Sequence, residues 1–280
     1  MRQYLLSAFA DEYASDFDTQ LSMLSDNNIQ YIEPRFINGK NVSLLSSEEA
    51  HIVKTKLDDH GIRVSSIGSP LGKISLSDDF TAYLETAKRV FETANILDTS
   101  FVRIFSFYPH PETSIADSRE EVLEKMNALV GLADKHQLTL CHENEAGIYG
   151  ESPEACLDLL KAFNGKLGCV FDMGNFVLGG YKPFPDAYTL LQPDISYFHI
   201  KDALYEGAIV PPGCGNACIE EILKMHSNYS DKNVFVSLEP HLETFNGLNK
   251  IASCSFENPY KFNSKEEAFL TAIKCLKNML

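Results

Sequence analysis

Leu138-Thr139-Leu140-Cys141-His142-Glu143-Asn144-Glu145 is a short apolar run that stops abruptly in ligand-type side chains, and the helix opening Ser152-Pro153-Glu154 follows it. Three later runs end in the same way: 167–171 in Asp172, 195–198 in His199, and 234–238 in Glu239. Runs that are apolar without alternation read as strands buried on both faces of a parallel sheet.

The pattern extends outward from this stretch in both directions. Upstream, residues 4–9, 31–35, 62–67 and 101–107 read as strands, separated by amphipathic helices at about 15–27, 46–60, 79–96 and 117–136. Downstream, helices are expected at about 153–163, 185–191, 217–226 and 264–280. A Gly-rich loop is expected after Asp172, a long loop after His199, and a polar excursion from His241 to Asn263. Eight strand–helix alternations in 280 residues predict an α/β fold, a single closed (β/α)8 TIM barrel spanning 1–280. An open doubly wound sheet has less support, because no GxGxxG follows the first strand.

Composition narrows the partners. With 24 basic against 39 acidic residues the net charge is −15, which repels nucleic acid and anionic membrane surfaces. The apolar N-terminal piece, 4–9, is too short for a signal peptide or a membrane span. Seven cysteines without a CxxC pair argue against a disulfide framework and point to the cytoplasm. Cys141 and Cys169 read as small buried hydrophobes, and the CxxxC of Cys214 and Cys218 lacks nearby partner ligands.

In a parallel barrel the loops after the strands form one face, which carries the active site. Neighbouring strands lie about 5 Å apart, so Glu143, Asp172, His199 and Glu239 can meet at one point. Singly, each has an ordinary alternative: a carboxylate after a strand often caps a helix, and a histidine there is often a bonded core residue. Together they crowd three carboxylates. Two carboxylates about 4 Å apart repel by about 4 kcal/mol at an effective dielectric near 20, so the pocket calls for a counter-charge. Three oxygen ligands and one imidazole suit a divalent ion: Mn²⁺ foremost, with Mg²⁺, Co²⁺ or Zn²⁺ as alternatives. Glu145 shares strand parity with Glu143 and is the alternative ligand, whereas His142 points the other way.

These residues also carry a resemblance. His142-Glu143-Asn144-Glu145, Asp172-Met173-Gly174-Asn175, His199-Ile200-Lys201-Asp202 and Ser237-Leu238-Glu239 resemble the sugar phosphate isomerase/epimerase family, the xylose isomerase-like barrels. Ser7–Glu12, Tyr31–Arg35 and Gly213-Cys214-Gly215 fit the same family, whose members include ketose 3-epimerases and inosose dehydratases. The resemblance implies that Glu143, Asp172, His199 and Glu239 are metal ligands, with Glu143 and Glu239 doubling as the acid/base pair. Two positions depart from the ketose 3-epimerase pattern: Asn175 stands where those enzymes place a histidine, and Tyr205 where they place an arginine. The endonuclease IV branch of the barrel uses extra histidines on early strands, and this chain has none there.

The chemistry expected is proton transfer next to a carbonyl of a sugar, sugar phosphate or polyol, through a metal-stabilised enediolate. Glu143 would take the proton and Glu239 would return one. Return to the same carbon epimerises, return to its neighbour isomerises, and loss of a β-hydroxyl dehydrates; a non-catalytic sugar-binding barrel is the alternative outside enzymology. Asn175, Lys201, Glu145, Arg103, Glu33 and His110 are candidate substrate contacts, with Glu33, Arg35 and Arg103 equally readable as structural ion pairs. Ser69–Lys73 offers a weak phosphate cradle, Tyr108 and His110 a cover for the mouth, and a homo-oligomer remains open.

Overall fold

The computed structural model describes residues 4–229, 232–242, 258 and 260–280. Eight parallel strands form the barrel: β1 (Tyr4–Ala8), β2 (Tyr31–Ile32), β3 (Arg63–Val64), β4 (Phe101–Ile104), β5 (Thr139–Glu143), β6 (Leu167–Asp172), β7 (Ile195–Ile200) and β8 (Val234–Leu238). Six of them form one continuous sheet in the order β1-β8-β7-β6-β5-β4. Backbone bonds close the ring through the other two. Glu33 N–H donates to Ala8 C=O at 3.0 Å, β2 pairs with β3, and Ile67 bridges to β4 through Phe101 C=O and Arg103 N–H at 3.0 Å each.

The helices that cover the sheet begin where the sequence supplies caps. Helix α1 (Phe17–Asp26) starts at Asp16, α2 (Ser47–Asp59) carries a reciprocal Ser46–Glu49 capping box, and α3 (Phe80–Ile96) starts at Asp79. Helix α4 (Arg119–Lys135) follows a 3₁₀ turn, and α5 (Pro153–Phe163) has Ser152 as cap with proline in its first turn. Then come α6 (Met173–Leu178), α7 (Tyr188–Leu191), α8 (Ile219–Ser227) and α9 (Lys265–Met279). None of the described helices is long and apolar enough to cross a membrane.

Three elements differ from expectation. The run 31–35 holds only two ladder residues, because Pro34 has no N–H to give; a small hairpin of Phe36–Ile37 with Lys40–Asn41 follows. The run 101–107 leaves the sheet after Ile104. Phe105, Phe107 and Tyr108 instead donate their N–H groups to Leu71, Gly72 and Ile74 C=O, which straps the 69–75 loop across the barrel mouth. The Gly-rich segment after Asp172 is helix α6 rather than a loop: Asp172 caps it, and Phe176 and Val177 bury its inner face. The excursion from His241 to Asn263 lies largely outside the described residues.

Register explains how the strand ends come together. Asp172 pairs with His199, Ser237 with His199, and Glu143 with Val170, two residues before Asp172. Partners in a parallel ladder share a face, and so do residues two apart along a strand. All four candidate ligands therefore point into the barrel at its C-terminal end. Beneath them, Ser7, Ser66, Tyr197 and Ser237 make a fully buried polar layer around Glu33.

Candidate metal centre

Glu143, Asp172, His199 and Glu239 each offer one ligand atom, and the four atoms all lie within 4.8 Å of one another. His199 Nδ1 is 3.0 Å from Glu143 Oε1, 3.6 Å from Glu239 Oε2 and 4.0 Å from Asp172 Oδ2. All four residues are buried. Bonds of about 2.0–2.2 Å to one ion hold ligand atoms about 3–4 Å apart, so a small inward movement completes the site. Among the described residues Glu143 Oε2 is buried and makes no hydrogen bond, its one charged neighbour being Arg103 Nη1 at 3.2 Å. The residues present therefore fit a divalent ion of the hard or borderline class.

Nearby cations offset the acids, two from the other strands and one, Lys201, directly after the strand of His199. Arg103 Nη1 lies 3.2 Å from Glu143 Oε2, its guanidinium held between the Phe9 and Phe105 rings at 5.1 and 5.0 Å. Arg35 Nη1 lies 2.8 Å from Glu239 Oε1. Lys201 Nζ reaches Asp172 Oδ2 at 3.0 Å and Glu239 Oε2 at 3.3 Å. Burial pushes the Glu143 carboxyl up, but His199 and Arg103 outweigh it and hold it down at about 2. Glu239 sits well below the usual range because Lys201, His241 and His199 overcome its burial. Asp172 goes the other way: burial, only partly offset by Lys201, raises it to about 6.

His199 is held from both sides. Nδ1 faces the quartet, while Nε2 faces both Glu33 oxygens at 3.3 Å. Burial disfavours its charge, yet Glu143 and Glu33 raise its pKa to about 10. A divalent ion would take the place of the Nδ1 proton, and Glu33 would keep the Nε2 proton, the usual carboxylate–histidine–metal relay. Glu33 is fixed in turn by Tyr197 O–H at 3.0 Å and Ser237 O–H at 2.6 Å.

A family model described as the xylose isomerase-like TIM barrel matches residues 21–278. The chain belongs to that family. No match emerges among curated proteins. Among solved structures, a probable 3-DHS dehydratase, AsbF, involved in petrobactin synthesis from Bacillus anthracis, is similar at 20% identity, with 99% of each chain covered and a TM-score of 0.72. The IOLI protein with a binding zinc atom is similar at 16% identity, covering 98% of this chain and 97% of that one, TM-score 0.73. A D-allulose 3-epimerase from Methylomonas sp. is similar at 15% identity, covering 100% and 99%, TM-score 0.70. At these identities the likeness is one of fold.

Within this xylose isomerase-like barrel the other singled-out residues fall into three groups. Lys201 and Asn175 sit at the quartet: Asn175 Oδ1 accepts from Lys201 Nζ at 3.0 Å, and its Nδ2 lies 3.4 Å from Glu143 Oε1. Arg103 and Glu33 lie beside it and beneath it; Glu33 is fully buried, its oxygens facing His199, Tyr197 and Ser237. Glu145 and His110 are not brought into the quartet. Glu145 pairs with Lys73 at 2.8 Å on the rim, and His110 pairs with Glu121 of α4 at 2.8 Å. His142 is buried against Ser106 O–H at 3.0 Å, outside the centre.

The 69–73 loop has no amide left for a phosphate. Leu71 N–H goes to Ser69 Oγ, Gly72 N–H to Tyr83 Oη and Lys73 N–H to Pro70 C=O. Gly72 is there for contact: at φ +90° a Cβ would lie 2.0 Å from Phe105 C=O. Sequence reasoning missed two groups. Asn144 clamps Asp172 by bonding its backbone N–H and C=O, both at 3.0 Å. His241 Nε2 lies 3.0 Å from Glu12 and 3.5 Å from Glu239, and its place two residues after Glu239 was the available signal. Glu12, Glu239 and His241 form a second close group, but the Arg35 guanidinium already lies 2.8 Å from Glu239, 3.3 Å from Glu12 and 3.3 Å from His241.

Proposed function

We propose that this barrel is a divalent-metal-dependent isomerase or epimerase of a sugar, sugar phosphate or related polyol, and that residues 1–280 form one catalytic domain. The observation that carries the reading is the meeting of four ligand atoms, from four consecutive strands, at the C-terminal mouth. Glu143, Asp172, His199 and Glu239 would hold the ion, with Mn²⁺ the expected occupant given an oxygen-rich set with one imidazole. The ion would supply Lewis-acid stabilisation of negative charge developing on the substrate oxygens.

The chain's own groups then divide the work. Glu143 is kept ionised by His199 and Arg103 and removes the proton next to the carbonyl. Glu239, set between Arg35 and Lys201 and itself ionised at rest, takes a proton from water and returns it to the planar enediolate. Each such positioned group is worth about 10²–10⁴-fold. Asn175 holds a substrate hydroxyl, with the Lys201 charge behind it, and the strapped 69–75 loop with Tyr108 excludes water from one side of the mouth.

A second reading, a dehydratase on the same centre, is favoured by Asn175 and Tyr205, which depart from the ketose 3-epimerase pattern. Incubating the Mn²⁺-loaded protein with a panel of ketoses and inososes in D₂O separates the two. Deuterium incorporation without water loss supports the isomerase or epimerase; an enone product supports the dehydratase; neither, across the panel, sinks the catalytic reading. A cytoplasmic location fits the six described cysteines, all of them free, and a homo-oligomer is compatible with the fold.

A further inference from the structure

Lys201 is one of the most completely enclosed charges in the protein: its side chain is 4% exposed. Its ammonium has three acceptors, Asp172 Oδ2 at 3.0 Å, Asn175 Oδ1 at 3.0 Å and Glu239 Oε2 at 3.3 Å. Two of those acceptors are oxygens of the candidate ligand quartet. The lysine cannot easily swing away. Its stem lies against Gly174, where a Cβ would fall 2.6 Å from Lys201 Cγ and 2.9 Å from its C=O. Asp172 is equally fixed, since its Oδ1 accepts Asn175 N–H at 2.8 Å as the cap of α6 and Asn144 clamps its backbone.

We propose that Lys201 sets the metal affinity of this centre, acting as a permanent internal cation that competes with the bound ion for the Asp172 and Glu239 carboxylates. The inference rests on the metal reading of the quartet. A positive charge held about 3 Å from two ligating oxygens repels a divalent ion placed between them, and the repulsion is strong in a buried site. The same charge keeps the empty centre folded by neutralising carboxylates that would otherwise repel each other. The result is a site that is stable when empty and binds its ion only moderately tightly, so occupancy follows the surrounding metal concentration. Removing the charge favours the ion over any proton taken up in its place, since a divalent cation gains twice what a proton gains.

The test is titration calorimetry of the metal-stripped full chain with Mn²⁺ at fixed ionic strength, comparing wild type with Lys201→Met and Lys201→Gln. Lys201→Gln keeps a donor for Asp172, so one neutral variant remains if the methionine variant does not fold. The expected result is Mn²⁺ binding at least tenfold tighter in the folded neutral variants, with the metal-free melting temperature lowered and the Mn²⁺-induced rise in melting temperature enlarged. A lysine with only a packing role would give the opposite sign, because its loss would loosen the site and weaken uptake. Equal or weaker binding in the folded variants overturns the inference alone. No Mn²⁺ uptake by any of the three proteins overturns the metal reading, and this inference with it.

Discussion

Strands β5 to β8 span five or six residues each, and each ends at or beside a candidate ligand; β2 and β3 span only two residues each and end in groups set beside or below the quartet. The regular half would fix where an ion sits, because parallel pairing of four neighbouring strands, shifted once at Cys169/Val170, leaves Glu143, Asp172, His199 and Glu239 little freedom. The irregular half supplies part of the charge around these four residues. Glu33 follows β2 and holds His199, Arg35 breaks from the same run to reach Glu239, and Arg103 in β4 supports Glu143. The geometry thus comes mostly from the regular half, whereas the electrostatics draw on both, since Lys201, directly after β7, faces Asp172 and Glu239.

The comparison can be broken most severely from the regular half. Glu239→Gln is expected to lower turnover by about 10²–10⁴-fold while leaving the far-ultraviolet circular dichroism unchanged. Turnover within tenfold of wild type would remove Glu239 from the acid/base pair. From the irregular half the expected loss is smaller. Glu33→Gln leaves every ligand in place but weakens the hold on His199 Nε2, and metal affinity should fall by about 10–100-fold. If Mn²⁺ affinity is unmoved, the orienting role assigned to Glu33 is wrong.

Acidity sharpens the same contrast. The pKa of His199 rises from 6.5 to about 10 in the metal-free fold, despite burial, because Glu143 and Glu33 flank it. A raised pKa contributes stability that is fully present below pH 6.5 and is lost as pH climbs towards about 10. Chemical denaturation of the metal-free protein should therefore show stability declining across that window, and His199→Asn should flatten the slope. In the same window each ion bound should release about one proton, read from calorimetry in buffers of different ionisation enthalpy. The smallest effect is expected at the rim. Lys73→Ala removes a partly exposed pair with Glu145 and should change stability by no more than about 1 kcal/mol.

The clustering of Glu143, Asp172, His199 and Glu239 was legible because each stands at the end of an apolar strand, so a local pattern marks a tertiary position. Its supports were harder to read. Glu33 meets His199 across 166 residues of chain, and nothing near Glu33 distinguishes an orienting carboxylate from a substrate contact. Helix α6 was read as a loop because Gly174, Gly179 and Gly180 lower helix propensity. The Asp172 cap and the burial of Phe176 override that penalty, and Gly174 is itself needed to admit the Lys201 stem. The 69–73 segment offered only a weak anion cradle, a Gly-Lys pair in a loop; its amides are spent on Ser69, Tyr83 and Pro70.

Asp172 divides its two oxygens: Oδ1 anchors the first turn of α6 through Asn175 N–H, and Oδ2 faces Lys201 and His199. On the proposed metal reading, ion loading and the winding of that rim helix would share one carboxyl group as a mechanical linkage. Hydrogen exchange at the Asn175 amide becomes a built-in gauge of whether the chamber is filled, readable without any substrate at all.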